Sequence, residues 1–130
     1  MADYNFNEDS LRGYGKYYSD SGLMSKIKNV AKKAGQKVIY YALLAYYVLK
    51  DPHTSARDRT IIISALGYFI LPIDIVPDFI PVVGFSDDLA ALAWALKAVY
   101  DNITPEIRYK AQTKLRQWFP SVSPEVLNTF

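Results

Sequence analysis

LPIDIVPDFIPVVGFSDDLA, residues 71–90, decides how the rest of the chain is read. Pro72, Pro77, Pro81 and Gly84 interrupt an otherwise strongly apolar run, and Asp74, Asp78, Asp87 and Asp88 punctuate it. Proline lacks a backbone donor and pushes the residue before it out of the helical region, so no helix runs through unbroken. Both flanks have helical period. The stretch is therefore the turn between two helices, and the fold class it predicts is all-α.

The helix before the turn covers 56–71. Ser55 and Asp58 form a capping box at its start, after the turn DPHTS (51–55), and Pro72 ends it. His53 lies in that turn with no partner nearby in sequence, which makes it a solvent-exposed loop residue. The helix after the turn covers 87–102. Ser86 is expected as its N-cap, with Asp87 and Asp88 in the first turn, where the macrodipole favours anions. Thr104 and Pro105 open a last helix over 105–119. Ile107, Ala111, Leu115 and Trp118 face inward there, and Arg108, Lys110, Lys114 and Arg116 against Glu106 make it basic outside. Pro120 stops it, and Ser123-Pro124-Glu125 is a similar start for one more turn.

Upstream, residues 23–50 repeat apolar side chains at 3.6-residue spacing, from Leu23 and Ile27 through Val38 and Tyr41 to Val48. A single helix of that length would reach about 42 Å. Its first half is amphipathic and basic, with Lys26, Lys28, Lys32, Lys33 and Lys37 and no acid among them. Its second half is apolar all round, because Tyr40, Leu43 and Tyr47 occupy the back face, so it must be covered on both sides. Those three residues are the expected seat of self-association or of a helical partner. Gly35 is the expected kink. Residues 1–22 show no period and are expected to form a polar, flexible tail, in which Tyr14, Tyr17 and Tyr18 are poised to dock on an apolar surface. The expected organisation is thus a tail over 1–22, one helical domain over 23–119 and a short C-terminal tail over 120–130.

Composition narrows the function. The 130 residues are 51% hydrophobic and 15% aromatic, with 11 tyrosines, yet 22% are charged, which excludes a bundle of plain membrane spans. There is no cysteine and one histidine, which excludes disulfides, thiol catalysis and multi-histidine zinc. The N-terminal MADYNFNEDS lacks an apolar signal region, so the chain is expected on the cytoplasmic side. A net charge of +2 names no partner by itself; the distribution of charge does.

From Thr60 to Ser86 the only charges are Asp74 and Asp78. Hydropathy alone would assign a membrane span, but irregular backbone at the prolines cannot face lipid unsatisfied. A re-entrant hairpin, or a helix buried in the protein's own core, fits better. Lys50, Arg57 and Arg59 before the run, and Lys97, Arg108 and Lys110 after it, put both ends on the cytoplasmic side. The lysine-rich first half of the 23–50 helix suits the surface of an anionic membrane. Nucleic acid is disfavoured, since there is no arginine cluster.

The four aspartates have two readings. Carboxylates clustered without histidine or cysteine favour a hard cation, Mg²⁺, Ca²⁺ or Mn²⁺, and Asp74, Asp78, Asp87 and Asp88 would be its ligands. The simpler reading is structural: Asp74 and Asp78 accept backbone N–H bonds or pair with Arg57 or Arg59, while Asp87 and Asp88 cap their helix. The structural reading is preferred, because the capping positions account for two of the four. Acid–base catalysis has no nucleophile, phosphate-binding loop or partner histidine to work with, so no enzymatic activity is expected.

ALGYFILPIDIVPDFIPVVGFSDDLAAL (65–92) resembles the signature of the YkvA-like family, bacterial proteins carrying a widespread domain of unknown function. KKAGQKVIYYALLAYYVLKDP before it and NITPEIRYKA after it extend the likeness over roughly residues 23–115. The resemblance implies a small membrane-associated protein and brings no reaction with it. The expected role is a non-enzymatic, membrane-associated structural or adaptor protein at the cytoplasmic face. The alternative is a soluble, cytoplasmic helical module that binds a divalent cation through the aspartates.

Overall fold

Among the described residues the computed structural model has six helices, two short 3-10 turns and no strand. It describes residues 14–30, 35–70 and 85–128; the side chains of residues 29, 30, 35 and 85–89 stand outside that description. In chain order the elements are the 3-10 turn η1 (Tyr14–Tyr17), α1 (Asp20–Val30), α2 (Gly35–Lys50), α3 (Ala56–Ile70), α4 (Phe85–Ala98), η2 (Tyr100–Asn102), α5 (Pro105–Trp118) and α6 (Pro124–Leu127). The small all-α domain expected from the sequence is present.

The core is built around α2. Every residue from Val38 to Ala45 is buried, as an all-round apolar helix requires. It packs against α3, α4, α5 and α6. Ile62, Leu66 and Phe69 from α3, Leu92 and Leu96 from α4, and Ile107 and Leu115 from α5 close around it. Each such side chain contributes about 1.5–3 kcal/mol relative to leaving it exposed. The single helix expected over 23–50 appears as α1 and α2 on either side of residues 31–34, which lie outside the described residues, as does the bend expected beside Gly35.

Helix starts follow their capping residues. Ser55 Oγ accepts from the Asp58 N–H at 3.1 Å, Thr104 Oγ1 from the Ile107 N–H at 3.2 Å, and Ser123 Oγ from the Val126 N–H at 3.4 Å. At the other end of α2, Thr54 Oγ1 donates to the Val48 carbonyl at 2.8 Å and Arg59 Nη2 to the Asp51 carbonyl at 2.7 Å. The Asn102 amide donates to the Asp58 carboxylate, so the start of α3 meets the end of α4 and the two form an antiparallel hairpin. The proline turn that joins them, 71–84, lies outside the described residues.

Four expectations are corrected. Residues 14–22 belong to the fold rather than to a loose tail. The turn η1 lies on α3 where Gly67 has no side chain: a Cβ there would come within 1.9 Å of the Tyr14 carbonyl oxygen. Tyr14 meets Tyr68 edge-on, and Leu23 of α1 is fully buried. The C-terminal stretch is likewise docked, because the Tyr40 hydroxyl donates to the Leu127 carbonyl at 3.4 Å and Leu127 is buried. Trp118 was expected inward but is 39% exposed, with Phe119 packed against the core beside it. Helix α4 is already formed at Phe85, so Ser86 is a helical residue and not the N-cap.

Candidate functional site

The residues singled out by sequence separate into four sets. The acid-free stretch between Asp20 and Asp51 carries the lysines. Lys28 and Lys37 are exposed, and Lys37 Nζ lies 5.8 Å from the centroid of the Tyr41 ring. Lys26 is half-buried, its Nζ 5.2 Å from the centroid of the buried Phe69 ring. Its aliphatic stem therefore lies along α3 while the charge caps an aromatic face. Lys32 and Lys33 fall outside the described residues.

The aspartate set is not assembled by the described residues. Asp74 and Asp78 lie outside them. Asp87 and Asp88 lie on α4, but their side chains are among those not described. Of the expected arginine partners, Arg59 reaches the Asp51 carbonyl and Arg57 Nη1 the Asp58 carboxylate at 3.5 Å. Among the described residues no group of three or more histidines, aspartates or glutamates could hold a metal ion.

Tyr40, Leu43 and Tyr47 do not form an open face. Tyr40 and Leu43 are buried and Tyr47 half-buried within the chain's own fold. The Tyr40 hydroxyl also accepts from Gln112 Nε2 at 3.2 Å, and desolvation holds its pKa above the usual phenolic value. Tyr40 is tied to α5 and α6 through Gln112 and the Leu127 carbonyl, and of the three only Tyr47 keeps part of its surface open.

A cleft of about 340 Å³ opens where the end of α2 meets the start of α5, lined by Asp51, His53, Thr54, Asn102, Thr104, Pro105 and Glu106. His53 is exposed, as expected, but it does have a partner nearby, since Nδ1 lies 3.1 Å from Asp51 Oδ1. The same carboxylate accepts from the His53 backbone N–H at 2.8 Å, which is the main reason its pKa is lowered. Thr54, Thr104 and Asn102 are already committed to the backbone or to Asp58. Thr54 and Thr104 thus cap the ends of α2 and α5, and Asn102 joins the end of α4 to the start of α3.

The exposed large hydrophobic side chains among the described residues are on and beside α5. Tyr109 is 67% exposed and Tyr100 55%, and Trp118 joins them. Tyr109 was legible as an outward position, because it stands two residues from both Ile107 and Ala111 of the inward stripe.

A family model described as "Protein of unknown function (DUF1232)" matches residues 58–94, from the first turn of α3 into α4. The uncharacterized membrane protein YkvA of Bacillus subtilis (strain 168) is 30% identical over 73 residues, which cover 50% of this chain and 69% of that relative. No solved structure matches.

Proposed function

The chain belongs to the YkvA-like family of proteins of unknown function, and from that premise we propose that it is a non-enzymatic structural or adaptor protein held at the cytoplasmic face of a membrane. The relative's name supports the membrane. Among the described residues no helix is long and apolar enough to cross one.

The observation that carries this reading is the acid-free stretch between Asp20 and Asp51, with Lys28 and Lys37 exposed on it. Exposed lysines on a stretch of chain that carries no acid of its own are drawn to anionic headgroups, each lysine near the surface contributing about 1 kcal/mol. The cations flanking the apolar 60–86 run support the cytoplasmic side.

The test is co-sedimentation with vesicles of phosphatidylcholine alone and of phosphatidylcholine with phosphatidylglycerol. Binding should need the anionic lipid and fall with salt. Replacing Lys26, Lys28, Lys32, Lys33 and Lys37 by Gln should weaken it by at least tenfold. A chain that ignores anionic vesicles at low ionic strength would overturn the reading.

A further inference from the structure

Helix α3 carries no charge after Arg59. At 100° per residue, Ile62, Leu66 and Phe69 make one side of it, which closes around α2, and Ile63, Ser64, Gly67 and Tyr68 make the opposite side. Among the described residues, η1 lies over that opposite side. A Cβ at Gly15 would stand 3.2 Å from Ile63 Cγ2, and the Tyr14 carbonyl sits on bare Gly67. The Tyr14 and Tyr68 rings meet edge-on with centroids 5.2 Å apart. This cover is lightly held, because no residue of η1 is buried. Helix α1 is anchored separately: the Ser19 carbonyl accepts from the Leu23 N–H at 2.9 Å, Ser19 Oγ accepts from the Gly22 N–H at 2.9 Å, and Leu23 is fully buried. The turn can therefore leave α3 by rotation at Tyr18 and Ser19 while α1 stays in place, as an element with few buried contacts opens at low cost.

We propose that η1 is a detachable cover, and that the side of α3 beneath it, with Ile63, Gly67 and Tyr68, is a latent contact face for the acyl boundary of an anionic bilayer. Its size and chemistry decide the occupant. Four residues within two helical turns fall well short of the roughly 800 Å² per partner of a stable protein interface. Shallow apolar contact is enough for a bilayer once lysines hold the chain at its surface. Tyr68, and the Tyr14 and Tyr17 rings that leave with the cover, are amphipathic and suit the headgroup level. The proposal rests on the membrane reading above: the lysines bring the chain to the surface, and lipid then selects the open form.

The test locks the cover and reads the face beneath it. Full-length Tyr68→Trp with Trp94→Phe and Trp118→Phe leaves one indole, under η1. The chain has no cysteine, so adding Gly15→Cys and Ile63→Cys gives it one disulfide, at a site where the side chains are close enough to join. Reduced, this chain should be quenched by phosphatidylglycerol vesicles with brominated acyl chains. Oxidised, it should sediment with the same vesicles and stay unquenched, with unchanged helical circular dichroism. In the otherwise unchanged chain, Gly67→Ala unseats η1 and should tighten binding to phosphatidylglycerol vesicles about tenfold, because the closed fraction no longer subtracts from the affinity. Equal quenching in the two redox forms would overturn the cover. Co-sedimentation without quenching in either form would overturn the α3 face and leave the lysine surface standing. No co-sedimentation in either form would overturn both. A reduced chain that dimerises and stays unquenched, beside an oxidised chain that stays monomeric, would overturn the lipid assignment in favour of a second copy.

Discussion

Helices α2 and α5 pack against each other and use their aromatic residues in opposite ways. On α2, Tyr40 and Tyr41 are buried and Tyr46 and Tyr47 half-buried, the last two meeting edge-on. On α5, Tyr109 and Trp118 stand exposed among cations. A buried tyrosine must satisfy its hydroxyl, and Tyr40 does so with Gln112 and the Leu127 carbonyl. The rings of α5 have no such internal duty. The most apolar helix is largely buried in the fold, and the exposed aromatic residues stand on the helix richest in charge.

The largest effect should come from the buried side of this comparison. Leu43→Ala should cost about 2–5 kcal/mol in urea unfolding, since Leu43 is buried in the centre of the core. Tyr109→Ala should change stability by no more than about 0.5 kcal/mol. Similar costs for the two would break the comparison. Next comes Gly67→Ala. The added Cβ meets backbone rather than a flexible side-chain end, so η1 must lift off α3. A loss of about 1–3 kcal/mol is expected, with faster proteolysis around residues 14–19. An unchanged melting temperature would mean that the strap is not held there.

Tyr40→Phe removes the hydroxyl shared by α2, α5 and α6 and should cost about 1 kcal/mol. The smallest effect belongs to Asp20, which accepts from the Tyr18 hydroxyl and pairs with Lys50 Nζ at 3.0 Å. The Tyr18 hydrogen bond first, then Lys50, lowers its pKa below the usual carboxylate value. A lowered carboxyl pKa stabilises the fold at neutral pH, and the contribution is lost as pH falls through the folded value. Both side chains are about half exposed, so the pair contributes less than about 1 kcal/mol. Asp20→Asn should flatten the acid limb of stability below about pH 4. Identical limbs for the two proteins would remove the pair from the account.

Where local chemistry decides, the fold was legible in the chain. Ser55, Thr104 and Ser123 mark helix starts that the structure contains, and the stripes Ile107–Ala111–Leu115 and Val38–Tyr41–Val48 mark buried faces. Where the deciding contact is distant in sequence, it was not. The docking of η1 depends on Gly67 accepting the Tyr14 carbonyl, a close approach that no period signals. Trp118 fits the inward stripe by spacing, but it ends its helix, and Phe119 packs against the core there. Of the lysines, Lys28 and Lys37 are exposed, while Lys26 lies over the Phe69 ring, a contact its spacing did not signal. That Tyr40 and Leu43 are covered from within depends on the return of α5 and α6, which periodicity cannot show.

The central claim is attachment to a membrane through a charged surface, and fractionation of cells expressing the full chain tests it most directly. The chain should sediment with membranes in low salt and be released by high salt or alkaline carbonate, as electrostatic attachment requires. Recovery wholly in the soluble pool at low salt, or retention through the carbonate wash, would contradict it.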